Sequence, residues 1–131
     1  MPPFYFALDP LLDRHRRVED EKRQRCARRR RERDDALRAR DRLVSALAAR
    51  AASRSDARSL AVLDARIAVQ RRRLAEAESA LGNAADELMT ASRERRVIEK
   101  LRERRRREYE REEARRDELE IDEANALRRA R

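Results

Sequence analysis

The chain has 131 residues; 48% are Asp, Glu, Lys or Arg and only 3% are aromatic. This excludes a compact globular fold around a large apolar core, because much of the 40% hydrophobic fraction is alanine, too small to fill one. The net charge of +9, carried by arginine at all but two (Lys22 and Lys100) of the 36 basic positions, points to an acidic partner without naming it.

High charge with low hydropathy fits either a disordered chain or a long helix. The punctuation decides for helix. Pro2, Pro3 and Pro10 are the only prolines and Gly82 is the only glycine, while Arg, Ala, Glu and Leu are strong helix formers. Cys26 is the single cysteine, so no internal disulfide forms, and a reducing, cytoplasmic setting is expected. The apolar runs are too short to span a bilayer. The opening MPPFYFALDP lacks the basic start and apolar run of a signal peptide, so none is expected.

In chain order, the first helix is expected over about residues 9–52. It starts at Asp9-Pro10, where Asp suits an N-cap and Pro the first turn. Its apolar positions are Leu8, Leu11, Leu12, Val18, Cys26, Leu37, Leu43, Val44 and Leu47, thin between Val18 and Leu37. A turn at about 52–56 follows from Ser53, Ser55 and Asp56, each able to cap a new helix.

The second helix, about 56–128, carries the clearest pattern. Leu60, Ile67, Leu74, Leu81 and Leu88 lie seven apart, with Leu63, Gln70, Ala77, Ala84, Ala91 and Ile98 as the companion series. These are the a and d positions of a coiled-coil seam, which Leu101 extends. The phase passes through Gly82-Asn83 unbroken, which favours one helix over a three-helix arrangement with a break there. The predicted fold is therefore all-α: two long helices in an antiparallel coiled-coil hairpin, as a single domain over residues 1–131. A turn near residue 54 pairs residue i with about 108 − i, bringing Phe4, Phe6, Leu8 and Leu11 to Val97, Ile98 and Leu101. Residues from about 105 to 131 then overhang as a charged helix, supported by pairs such as Glu103–Arg107, Glu112–Arg116, Arg104–Glu108 and Arg106–Glu110.

No catalytic constellation is visible, so no enzymatic activity is expected. His15 is the only histidine and sits among arginines, where it reads as a solvated helix residue. Cys26 reads as a seam residue, no Cys/His pair has metal-ligand spacing, and no glycine-rich phosphate loop is present; no metal or cofactor is implied. Residues 14–33 hold eleven basic and four acidic side chains. Singly, these arginines read as a solvated face; together they suit docking on an acidic protein surface. A basic coiled-coil nucleic-acid binder is the alternative, but acids interrupt the block and no Asn or Ser is placed to read bases. A self-associating scaffold is the other alternative.

The two ends resemble one family. FYFALDPLLDRHRRVEDEKRQ (residues 4–24) is similar to the aromatic opening of FliJ proteins of the bacterial flagellar export apparatus, with Phe4, Phe6, Leu8, Leu11 and Leu12 in the matching places. ERRVIEKLRERRRREYEREEARRDELEIDEANALRR (residues 94–129) resembles the family's C-terminal part through Glu94, Ile98, Glu99, Lys100, Leu101, Tyr109, Asp122, Glu123 and Ala124.

The resemblance implies a non-enzymatic central stalk of the type III export ATPase complex. Such a stalk is similar to the γ subunit of rotary ATP synthases, inserts into a hexameric ATPase ring and contacts a membrane-embedded export gate, with a link to export chaperones. Stalk proteins of virulence-type secretion systems (the YscO group) are the related alternative. On this reading Arg104, Arg105, Arg107, Tyr109, Arg111 and Arg115 contact the ring, and Leu43, Leu47, Leu60 and Leu63, near the hairpin tip, face the gate. The expected location is cytoplasmic, peripherally associated with the inner face of the cell membrane. A monomer is expected in free solution, and no nucleic acid as partner.

Overall fold

The computed structural model describes residues 2–54 and 56–131. Among them are two helices and no strand: α1 (Asp9–Ala52, 44 residues) and α2 (Ala57–Arg129, 73 residues). At 1.5 Å per residue these are about 66 and 110 Å long. Gly82 lies inside α2 without interrupting it.

The break between the helices is built from local chemistry. Ser53 donates its backbone N–H to the Ala49 carbonyl and its hydroxyl to the Arg50 carbonyl, each at 3.1 Å, closing the last turn of α1. Arg54 then adopts φ 55°, the left-handed conformation that glycine more often supplies at a helix end. Asp56 caps α2: its carboxylate accepts the Ser59 backbone N–H at 2.9 Å. Bonds from the Ser59 side chain and backbone hold the Asp56 carboxyl below its ordinary pKa. Ser55, the third candidate cap, lies outside the described residues.

The chain divides into two compact units, Val18–Ser92 and Met1–Arg17 with Arg93–Arg131. In the first, Leu63, Ile67, Leu74, Ala84 and Ala91 of α2 are buried, with Leu60, Gln70, Ala77, Leu81 and Leu88 half-buried between them. The α1 side is less apolar. Glu19 and Cys26 are buried, and Lys22, Arg29, Arg33, Ala36, Arg40, Leu43 and Leu47 are half-buried. These positions form two seven-residue series, Glu19–Cys26–Arg33–Arg40–Leu47 and Lys22–Arg29–Ala36–Leu43. Val44, named from the sequence as part of the apolar stripe, is exposed. Long basic side chains hold these places because their aliphatic stems cover apolar surface while their heads reach water. Glu19 accepts a bond from Arg23 at 2.7 Å. Lys22 and Arg25 reach Glu87 at 3.1 and 3.2 Å, while Leu43 shares a groove with Val62 and Ala65. The α1–α2 contacts of this unit thus run in antiparallel order.

In the second unit Leu12 and Phe6 form the core, at 1% and 5% exposure. Leu8 lines a groove with Phe4, Phe6 and Leu101 as expected, whereas Leu11 and Val97, also expected at this contact, are exposed. The helical phase that buries Leu12 turns Leu11 outward by about 100°. Asp9 accepts a bond from Arg102 at 2.9 Å, and Arg16 reaches Glu99 at 3.4 Å. His15, expected in solvent, is half-buried with Nδ1 3.8 Å from Glu94. Pro2–Leu8 precedes α1 and packs on α2 further toward its C-terminus. Phe4 meets the Tyr109 ring at 5.7 Å, and the Tyr109 hydroxyl donates to the Pro2 carbonyl. The stretch expected to be bare from residue 105 is therefore covered around Tyr109. Every residue from 114 to 131 is exposed.

Candidate interaction surfaces

The first candidate surface is the α2 segment proposed above for a ring. The α2 heptad that carries Leu81 and Leu88 continues through Arg95, Arg102 and Tyr109, all half-buried. Polar seam residues need partners, and each has one. Arg95 reaches Glu99 at 2.5 Å, and the Arg102 guanidinium lies 5.8 Å from the Phe4 ring centre while bonding Asp9. A cation over an aromatic face is attracted by the ring's quadrupole. Burial pushes the Glu99 carboxyl up, but bonds from Arg95 and then Arg16 outweigh it and leave the pKa lowered.

Of the residues assigned to a ring contact, Arg104, Arg105, Arg107, Arg111 and Arg115 are exposed, while Tyr109 is half-buried under the N-terminal segment. Arg104, Arg107 and Arg111 come together along one polar groove with Lys100, Glu103 and Glu108. Arg105 pairs with Glu108 at 3.5 Å. Arg106–Glu110 forms at 3.1 Å, whereas Arg116 turns to Glu113 at 3.5 Å rather than to Glu112.

The second surface lies near the break. Leu43, Leu47 and Leu60 are half-buried, and Leu63 is buried at 4% exposure, so it serves the core and offers nothing to a partner. The structure adds neighbours that the sequence reading passed over. Val62 and Val69 are 48% and 44% exposed and flank an open groove with Leu43, Ala65, Arg66 and Arg73. Their signal was present: they repeat at seven, one position before Leu63 and Gln70.

The basic block at 14–33 is less free than its composition suggests. Arg16, Lys22 and Arg25 are spent on carboxylates of α2, and Arg23 and Arg29 on carboxylates of α1. The hydrogen bond and charge of Lys22, with a smaller contribution from Arg25, lower the Glu87 pKa. Among the described residues no cluster of His, Cys, Asp and Glu is arranged to hold a metal. No described helix is long and apolar enough to cross a membrane.

A family comparison converges with these ends. The model of the family described as flagellar FliJ protein matches residues 4–131. The match takes in the aromatic N-terminal segment, both seams and the exposed C-terminal helix. No curated protein and no solved structure gives a significant match. A chain matched over nearly its whole length, and built of two helices with no strand among its described residues, belongs to the FliJ family of flagellar export proteins.

Proposed function

We propose that this protein is the non-enzymatic central stalk of the flagellar type III export ATPase complex. In this reading the two helices form one antiparallel coiled-coil hairpin. The end that carries both chain termini enters the hexameric ATPase ring, and the hairpin tip faces the membrane-embedded export gate, with export chaperones as further clients. The chain would work in the cytoplasm, at the inner face of the membrane.

The observation that carries the reading, beside family membership, is the exposed helix after residue 113. It is charged on every face and buries almost nothing. A slim polar rod makes exchangeable contacts in a narrow channel, where an apolar one would stick by burying area. The ring-contact arginines Arg104, Arg105, Arg107, Arg111 and Arg115 stand exposed on the same helix, which supports the assignment.

The test is a truncation that spares the Tyr109–Pro2 contact. Removal of residues 114–131 is expected to abolish stimulation of the cognate export ATPase while circular dichroism of the remaining helices is retained. A truncated protein that stimulates the ATPase as fully as the intact one overturns the proposed orientation.

A further inference from the structure

The groove beside the break has a composition unlike the rest of the surface. It is lined by Leu43 of α1 and, on α2, by the small Ala65, the exposed Val62 and Val69, Gln70, Arg66 and Arg73. No carboxylate lines it. The arrangement follows from the heptad. Taking Leu60 and Leu63 as a and d, Val62 and Val69 occupy c, and Arg66 and Arg73 occupy g. All four lie on one flank of the seam, while Asp64 at e falls on the other.

Along α1, Arg16, Arg23, Arg25, Arg29, Arg33, Arg38 and Arg40 have carboxylates within 4.0 Å, while Arg14, Arg17, Arg28, Arg30 and Arg31 form no ion pair with a described residue. Arg66 and Arg73 form no ion pair with any described residue. Two guanidiniums without an ion pair among the described residues thus stand beside two exposed valines that are two helical turns apart.

We propose that this groove docks an acidic amphipathic helix of a partner protein, which would lie along α2 as a third helix. Its apolar residues, at i, i+3, i+4 and i+7, would sit on Val62, Val69, Leu43 and Ala65. Carboxylates on its flank would pair with Arg66 and Arg73. From Val62 to Arg73 the groove runs about 16 Å, or three turns of such a helix. The repeat of seven matches the spacing at which a helix presents one face. The groove between Leu43 of α1 and the valines of α2 favours a helix over a bilayer, which would meet only the ridges. The absence of aromatic stacking residues disfavours single-stranded nucleic acid. This docking surface is independent of ring insertion and stands whether or not the chain acts as a stalk.

The experiment uses the full chain and a capped helical peptide of about four turns, with leucines at the i, i+3, i+4 and i+7 positions and glutamates elsewhere. Isothermal titration at low salt is expected to show one-site binding that weakens as salt is raised. The double variant Arg66→Glu, Arg73→Glu is expected to bind at least about tenfold more weakly, which is about 1.4 kcal/mol. Val69→Ser provides a second, charge-neutral arm with a severalfold loss. Circular dichroism melting of each variant establishes that it is folded. Absence of peptide binding by the wild type overturns the proposal, as does equal binding of a scrambled peptide or unchanged binding by both folded variants. Vesicles rich in anionic lipid, or a single-stranded oligonucleotide, that bind more tightly than the peptide and lose binding in the same variants also overturn it, by assigning the groove to another occupant.

Discussion

Replacing Gly82 by alanine should stabilise the protein. Gly82 is exposed within α2, its φ is not positive, and a methyl group built on it meets nothing within 4 Å. No steric cost therefore offsets the intrinsic gain, which in an exposed helix interior is about 0.8–1.0 kcal/mol. Most of that gain is lost freedom of the unfolded chain rather than a new contact. For a chain of this size, about 3–4 °C per kcal/mol is reasonable, so the melting midpoint should rise by about 3 °C. Thermal melting by circular dichroism measures it, with urea midpoints as a second readout. Gly82→Pro is the opposing control: it removes one helical hydrogen bond and clashes with the preceding turn, at a cost of about 3 kcal/mol or more. If Gly82→Ala lowers the midpoint while Gly82→Pro leaves it unchanged, the chain turns at 82–83 in solution and the continuous α2 is refuted.

Two further perturbations test the packing and the charge network. Glu19→Leu puts an apolar side chain at a buried seam position in place of a carboxylate, and the Arg23 guanidinium it leaves is exposed and returns to water. The melting midpoint should not fall, and a clear drop would mean that the position does not face α2. Acid should destabilise the fold. Glu87, Glu99 and Asp56 all have folded pKa values below their ordinary ones. Their contribution is therefore present above the ordinary carboxylate range, about pH 4, and is lost as pH falls through the lowered values. Melting midpoints measured from pH 6 down to about pH 2.5 should decline through that window. Glu87→Gln should shrink the decline, and an unchanged profile would show that the Lys22–Glu87–Arg25 cluster is not formed in solution.

The sequence made α2 legible and α1 much less so, for a physical reason. The α2 seam is written in leucine, isoleucine and alanine at sevens, and hydropathy reports burial faithfully for those residues. In α1 the equivalent positions are Glu19, Arg33 and Arg40, whose burial depends on partly covered stems and ion pairs that no hydropathy value encodes. The eye then settles on Val44 and Leu11, which face water. The sevenfold spacing from Leu12 and Glu19 to Cys26 and Leu47 was the available clue. At the interaction surfaces, the exposed arginines after residue 103 were readable from composition. The cover over Tyr109 was not, because it comes from Pro2–Leu8, a non-helical segment that lies outside any count of helical register. The groove arginines were hidden by their number: with 36 basic residues in the chain, only geometry separates the unpaired ones from the rest.

The polar seam of α1 has a consequence for how the molecule assembles itself. A helix whose inner face holds Glu19, Lys22, Arg29, Arg33 and Arg40 has little reason to associate with a second copy of itself, since like charges would be brought together. It also gains little by collapsing alone. α2 carries the leucine-rich stripe, and in the unit Val18–Ser92 the register of α1 is marked by Lys22 and Arg25 meeting Glu87. The two helices thus contribute different things to one interface: α2 the apolar area, α1 the charges that select a single alignment.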